Sequence, residues 1–375
     1  MHQNNQTSPL AARQQKLFTA LTSVGLEAAA FNPGQSLVYL TGLHFHLSER
    51  PVVVLFRPAQ TPVIILPELE AAKVKSLPYP IHSFTYGEDP ATWPEAFYKA
   101  VQAAEVDGKV VGVEPRGLRF LELRLLEEAA PQASFKSAEE SLASLRMYKD
   151  EDEISAMRTA AQIAQEALLA TLPMIKAGVT ERQIASELTV QLLRAGSGPE
   201  MPFSPIVSGG PNSANPHATP TDRALQEGDL LVIDWGASYN GYFSDITRTF
   251  AIGKIEPEFE MIYQLVLEAN MMGRAACAPE NLAGDVDQAA RKVIDEGGYG
   301  PYFRHRTGHG LGMDVHEEPY MRSGNPMPLA PGMTFTVEPG IYLLGRGGVR
   351  IEDDMVITVI GGDSLTDLPR ELRIL

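Results

Sequence analysis

Apolar residues at Leu10, Leu17 and Leu21 recur on one helical face and predict a helix over residues 9–25 that ends near Gly25. Three short apolar runs follow: SLVYLTG (36–42), PVVVLF (51–56) and TPVIILP (61–67), and each predicts a strand. PELEAAKVKS (67–76) predicts a short helix with a proline in its first turn. KVVGVE (109–114) predicts another buried strand, and LRFLELRLLEEAA (118–130) an amphipathic helix. Strands alternating with helices predict an α/β domain. No dense group of chemically capable residues stands out in this part.

The pattern changes at SLRMYKDEDEISAMRTAA (144–161), which places a boundary at about residue 147 and predicts domains over 1–146 and 147–375. The acidic run Asp150 to Glu153 suits a helix start, where exposed amides and the helix dipole favour negative charge. Thr180 and Gln183 are spaced as a capping box, followed by Ile184, Leu188 and Leu192 on one helical face. QEGDLLVIDWGASYNGYFSDITRTFAIG (226–253) predicts a hairpin turning at Asn240-Gly241, a pair that favours the tight turn joining twisted strands. Residues 257–277 and 282–296 predict helices, and the last 45 residues alternate Gly/Pro turns with apolar runs, as strands do. The second domain therefore reads as α+β.

A length of 375 residues agrees with two domains, and 44% hydrophobic with 21% charged residues is ordinary globular usage. No apolar stretch is long enough to span a membrane. The start, MHQNNQTSPL, lacks a signal-peptide profile, and Cys277 is the sole cysteine, so a reducing cytoplasm is expected. The net charge of −16 is uneven. Residues 1–149 carry 14 basic and 15 acidic side chains, and the remainder carries 17 and 32. That balance argues against a nucleic-acid partner. It leaves two readings of the second domain: a solvated acidic surface, or carboxylates turned inward to hold divalent cations.

The hairpin favours the second. With Asn240-Gly241 as the loop, Asp245 falls opposite Gly236, and Asp234 lies two residues along the same strand. Period-two alternation then puts both carboxylates on one face, roughly 7–8 Å apart between Cα atoms. The bland alternative is a pair of strand-end acids reaching water. Further on, RTGHGLG (306–312) sets His309 between glycines, TFTVEPGIY (334–342) ends an apolar run at Glu338, and GGVRIEDD (347–354) places Glu352 after another. Four carboxylates and one imidazole suit hard or borderline divalent metals such as Mn²⁺ better than structural zinc. One cation would leave the carboxylates over-supplied; two balance them, and two cations ~3.5–4 Å apart activate a water for hydrolysis.

VIDWGASYNGYFSDITRTF, HRTGHGLGMDVHEEP, TVEPGIY and GGVRIED resemble the pita-bread metallopeptidases, which include Xaa-Pro dipeptidase (prolidase), aminopeptidase P and methionine aminopeptidase. The detailed similarity covers about residues 145–361. It implies a creatinase-like α/β domain in front of an α+β pita-bread catalytic domain. It implies Asp234, Asp245, His309, Glu338 and Glu352 as ligands of two divalent cations, with Mn²⁺ favoured and Co²⁺ or Zn²⁺ as the other candidates. It also implies that His217 contacts substrate, that His316 stabilises the tetrahedral intermediate, and that Glu338 carries a proton from water toward the leaving nitrogen. His305 has no matching role and reads as structural. Arg350 shares a strand face with Glu352; it orients a ligand carboxylate or engages the substrate, the alternative being a salt bridge to Asp353 or Asp354.

The activity so implied is hydrolysis of the Xaa-Pro bond of short proline-containing peptides, by a cytoplasmic homodimer. A dipeptidase is expected, with aminopeptidase P acting on longer peptides as the alternative; a metal-free binding protein is disfavoured because all five ligands are kept. A dipeptidase must neutralise the free carboxylate of its substrate. Arg50, in HLSERPVV, is the candidate clamp, since a guanidinium pairs with carboxylate in bidentate fashion; the alternative is a loop Arg paired with Glu49 or solvent.

Overall fold

The computed structural model describes residues 9–375. The polar start read above for targeting lies, over residues 1–8, outside the described residues. The chain divides into two compact units, 1–146 and 147–375.

The first unit is a six-stranded mixed sheet with helices. Its strands are β1 (Ala28–Phe31), β2 (Val53–Phe56), β3 (Val63–Pro67), β4 (His82–Tyr86), β5 (Val110–Val113) and β6 (Ser134–Ser137), in the order β4-β3-β2-β1-β5-β6. β1 runs antiparallel to β2 and parallel to β5. The helices are α1 (Pro9–Ser23), α2 (Gln35–Thr41), α3 (Ala71–Lys75), α4 (Trp93–Ala104), α5 (Phe120–Ala129) and α6 (Glu139–Met147). One face of the sheet buries Val53, Leu55, Val63, Ile65 and Val111 against Phe97, Ala100 and Val101 of α4 and Leu125 and Leu126 of α5.

SLVYLTG is the one predicted strand that differs: it forms α2. Ser36, Leu37, Tyr39, Leu40 and Thr41 of that helix are all buried, so the run is covered on nearly every side and carries no visible helical period. A short apolar run buried all round looks the same whether it is helix or strand.

The second unit is α+β. α7 (Glu151–Thr171) starts at an Asp150–Glu153 capping box, and α8 (Glu181–Ala195) at the Thr180–Gln183 box read from the sequence. α9 (Pro257–Ala275) and α10 (Ala283–Glu296) follow the hairpin region. β7 (Ile206–Gly209), β8 (Leu230–Trp235), β9 (Ser238–Tyr239), β10 (Tyr242–Phe243) and β11 (Ile246–Ala251) lead to β12 (Gly308–Gly310) and β13 (Glu317–Met321). β14 (Thr334–Val337), β15 (Gly340–Leu343), β16 (Gly347–Arg350), β17 (Asp353–Ile357), β18 (Gly362–Ser364) and β19 (Arg373–Ile374) complete the unit.

Two sheets position the site. One is ordered β19-β11-β8-β7, and the other β13-β12-β14-β17-β18. Behind the first, Trp235, Ile233 and Leu231 pack against Ala164, Leu168, Ile184, Leu188 and Leu192 of α7 and α8. The hairpin turns where the sequence predicts. Asn240 and Gly241 both take positive φ, 50° and 80°, the backbone of a turn whose twist matches its strands. Tyr239 faces Tyr242 on one side of the twisted stretch and Trp235 faces Ile246 on the other, so both ladders keep the predicted register. Among the described residues no helix is long and apolar enough to cross a membrane.

Candidate metal centre

The five expected ligands come from different strands but line one cavity of about 640 Å³ in the second unit. Asp234 ends β8, and Asp245 precedes β11. His309 is the middle residue of β12, Glu338 follows β14, and Glu352 lies between β16 and β17, bridged to Thr247 of β11. Ligand atoms of Asp245, His309 and Glu352 all lie within 4.8 Å of one another. His309 Nε2 is 3.3 Å from Glu338 Oε1 and 3.7 Å from Asp245 Oδ2.

Close backbone packing holds the histidine. A Cβ on Gly308 would sit 1.8 Å from the Thr336 carbonyl oxygen, and one on Gly310 2.3 Å from that of Glu318. Only glycine lets the neighbouring chains approach β12 so closely. Asp245 is held through its backbone, whose N–H donates to the Asp354 carboxylate at 3.1 Å and 3.3 Å.

Arg350 is buried and organises the Asp234 side. Its Nη2 donates to Asp234 Oδ2 at 2.6 Å, its Nη1 to Tyr342 Oη at 3.1 Å, and its Nε to Thr247 Oγ1 at 3.0 Å. Thr247 Oγ1 in turn donates to Glu352 Oε2 at 2.6 Å. Arg350 therefore pairs with a site carboxylate rather than with Asp353 or Asp354. His305 also lines the cavity. Its Nδ1 faces the Arg306 carbonyl at 2.7 Å, which only accepts, so Nδ1 carries the proton. Nε2 then accepts from Tyr342 Oη at 2.9 Å. Burial pushes the His305 pKa down to about 4 and that of Tyr342 up to about 12, so both stay neutral.

The electrostatics test whether a cation fits. Burial first, then the surrounding carboxylates, pushes Asp245 and Glu352 well above the usual carboxylate range. Glu338 is pushed up to about 7, again mainly by burial. Asp234 is raised by burial too, although Arg350 opposes the shift. Its Oδ1 is buried and has no hydrogen-bond partner. Burial and the neighbouring His316 push His309 well below its usual value. Its Nδ1 faces the Gly310 carbonyl at 3.2 Å, which leaves the Nε2 lone pair aimed at carboxylate oxygens. Carboxylate oxygens and an imidazole nitrogen that converge in a buried place, with a protein cation on Asp234 alone, are the donor arrangement of a metal site. The set fits hard or borderline divalent cations.

His217 and His316 line the same cavity as exposed side chains, with the His316 ring centroid 4.0 Å from that of His309. Pro202, Phe203, Ile206, Pro216 and Val315 give it apolar walls. Arg50 belongs to the first unit, where its Nη1 is held by Glu49 at 2.8 Å and its Nη2 by Glu88 at 2.9 Å. Five participants carry no assignment from the sequence: Thr247, Tyr342, Asp354, Arg306 and Arg322. Thr247 was within reach, because it sits two residues from Asp245 and shares its face. Tyr342, Asp354 and Arg306 are positioned by contacts with residues well separated in sequence, whereas Arg322 is exposed and meets the Ser323 carbonyl of its own turn.

Residues 155–359 match the model of metallopeptidase family M24, and residues 13–148 match that of the creatinase/prolidase N-terminal domain. The chain belongs to the M24 metallopeptidases. This metallopeptidase is 35% identical over 363 residues to a putative dipeptidase, YkvY, of Bacillus subtilis, covering 97% of this chain and 99% of the relative. It superposes on the prolidase of Thermococcus sibiricus with a TM-score of 0.92 at 33% identity, over 99% of this chain and 100% of the other. The Xaa-Pro dipeptidase of Bacillus anthracis gives 0.88 at 31% identity, over 98% and 100%. The pita-bread resemblance and the two-part fold are borne out: the M24 metallopeptidases are metal-dependent hydrolases, and this chain has the buried Asp/His/Glu cluster.

Proposed function

We propose that this M24 metallopeptidase is a Xaa-Pro dipeptidase that holds two divalent cations on Asp234, Asp245, His309, Glu338 and Glu352. The observation that carries the reading is the convergence of Asp245, His309 and Glu352 ligand atoms within 4.8 Å in a cavity walled by proline, phenylalanine and isoleucine. Such walls suit a proline ring. When bound, the cations supply Lewis acidity, which lowers the pKa of water and polarises the scissile carbonyl.

The protein side chains do the rest. The Glu338 side chain is 15% exposed, against 12% for Asp234 and 6% for Asp245, so it is the more open to substrate. It takes the proton of the attacking water on its carboxylate and passes it to the proline nitrogen as that nitrogen leaves. A proline nitrogen departs as a secondary amine and needs that proton. His316 is neutral, because desolvation and then Arg306 lower its pKa, and it donates a ring N–H to the developing oxyanion. His217 donates to the substrate at the mouth of the cavity. Arg350 locks Asp234 and reaches the Glu352 carboxylate through Thr247.

Oxygen-rich ligation with one imidazole favours Mn²⁺ over Co²⁺ or Zn²⁺. The single, buried Cys277 suits a cytoplasmic protein, and the family resemblance supports a homodimer. The test is release of the amino-terminal residue Xaa from Xaa-Pro and Xaa-Pro-Yaa peptides by chelated protein resupplied with Mn²⁺, Co²⁺ or Zn²⁺. Preference for Xaa-Pro supports the dipeptidase; equal or better cleavage of Xaa-Pro-Yaa makes the chain an aminopeptidase.

A further inference from the structure

The cavity is lined by three guanidinium groups as well as four carboxylates, and the three are in different states. Arg350 is 2% exposed and spends its donors on Asp234, Thr247, Tyr342 and the Pro216 carbonyl. Arg322 is exposed, and its Nη1 lies 3.5 Å from the Ser323 carbonyl of its own turn. Arg306 is half-buried. Its guanidinium carbon sits 4.2 Å from the centroid of the Tyr320 ring, and among the described residues it has no carboxylate partner and no hydrogen-bond acceptor.

Stacking covers the flat face of a guanidinium and leaves its N–H edge free, so Tyr320 fixes the orientation of Arg306 without consuming a donor. The charge of Arg306 is felt at the site: it contributes to lowering His309, His316 and Glu338. Two divalent cations balance the four carboxylates. Arg350 is spoken for by Asp234, so Arg306 is left as an oriented, uncompensated cation on the wall.

We propose that Arg306 binds the free carboxylate of the dipeptide and thereby sets substrate length. This rests on the Xaa-Pro dipeptidase reading. In Xaa-Pro the carboxylate is carried by the proline Cα, the atom bonded to the scissile nitrogen, so it must lie close to the reacting centre. In Xaa-Pro-Yaa the same carbon is a neutral amide carbonyl. A planar guanidinium matches a carboxylate in two parallel hydrogen bonds and has no such match with an amide. Arg50 brings no comparable free edge, because Glu49 and Glu88 hold both of its terminal nitrogens.

The experiment compares kcat/KM for Xaa-Pro with that for Xaa-Pro-amide, in which only the carboxylate is replaced. It is run on the Mn²⁺-loaded wild type and on Arg306→Ala, Arg306→Lys, Arg50→Ala and Arg322→Ala. Both substrates are assayed on one preparation, so a partly folded variant leaves the ratio intact. The wild type is expected to prefer the free acid. Arg306→Ala is expected to cut that preference by roughly tenfold or more, as the loss of one charge-assisted contact does. Arg306→Lys should retain part of it, and the other two variants should leave it unchanged. A second readout needs no turnover: calorimetry on the loaded protein should show Arg306→Ala binding L-proline more weakly while binding L-prolinamide as before.

An unchanged ratio in Arg306→Ala overturns the inference, as does a ratio that collapses in Arg50→Ala or Arg322→Ala instead. A wild type active on Xaa-Pro with a ratio independent of Arg306 removes this inference alone. A wild type that cleaves the Xaa-Pro bond of neither substrate removes the dipeptidase reading, and this inference with it.

Discussion

Glu352 and Asp353 are adjacent and both buried, yet they live in opposite electrostatic worlds. Glu352 faces Glu338, Asp234 and the Thr247 hydroxyl, and its carboxyl is driven well above the usual range. Asp353 faces Arg248 at 2.8 Å, Arg370 at 2.7 Å and the Thr366 hydroxyl at 2.7 Å. Burial alone would raise Asp353 as well, but the two arginines overcome it and hold its carboxyl below the usual range. Successive residues of an extended chain point to opposite faces, so one step separates the two environments. The protein supplies its own cations where a carboxylate has only to hold the fold together. On the other face it leaves carboxylates short of cations, and that shortage is the mark of a metal centre.

The comparison breaks most completely if chelation leaves peptidase activity intact. Chelation is expected to abolish proline release and divalent metal to restore it. Asp245→Asn should lose metal by elemental analysis, because an amide carries no charge to balance a cation. Full metal content in that variant would make Asp245 a carboxylate like Asp353.

His316 sharpens the comparison from inside the cavity, as a residue that serves the reaction without holding metal. His316→Ala is expected to lower kcat by roughly 10²–10³-fold with metal content unchanged. Loss of metal, or wild-type turnover, would place it elsewhere.

On the other face, Arg248→Met removes a buried cation from Asp353. Breaking a buried pair by deleting one partner costs about 3–5 kcal/mol. A fall in Tm is expected, with kcat/KM of the surviving folded protein preserved. An unchanged Tm would mean that Arg370 suffices by itself.

The smallest effect is a difference in sign. The folded Asp353 carboxyl lies below its unfolded range, so its contribution to stability is present above about pH 4 and is lost as pH falls through the folded value. In chelated protein, Asp245, Glu338 and Glu352 lie above their unfolded range, Glu338 at about 7. Acidification then lets the fold take up protons before the unfolded chain does, and stabilises it. The gap in Tm between loaded and chelated protein should shrink from about pH 8 to about pH 5. A gap that widens would contradict the assignment of the two faces.

How much of this was legible depended on sequence distance. The register of the 226–253 hairpin follows from one turn signal and the period of a strand, so the shared face of Asp234 and Asp245 could be read directly. The capping boxes at Asp150 and Thr180 are equally local. Arg350 was open to two readings, because its true partner, Asp234, is more than a hundred residues away. The stacking of Arg306 on Tyr320 links β13 to the segment before β12, and nothing in HRTGHG announces it. SLVYLTG misled for a different reason, since burial on all sides erases the periodicity on which such a reading depends.

The glycines around His309 bear on how this protein would look in a saturation mutagenesis screen. Gly308 and Gly310 do not line the cavity and carry no side-chain ligand atom, yet the Thr336 and Glu318 carbonyls occupy the space of any side chain there. An activity-only screen would therefore score those two positions as dead as His309 itself. A fitness map would draw the catalytic centre wider than its chemistry. Paired with a measure of folded protein, the same screen would separate the glycines, which fail by not assembling, from a ligand variant that folds and stands idle.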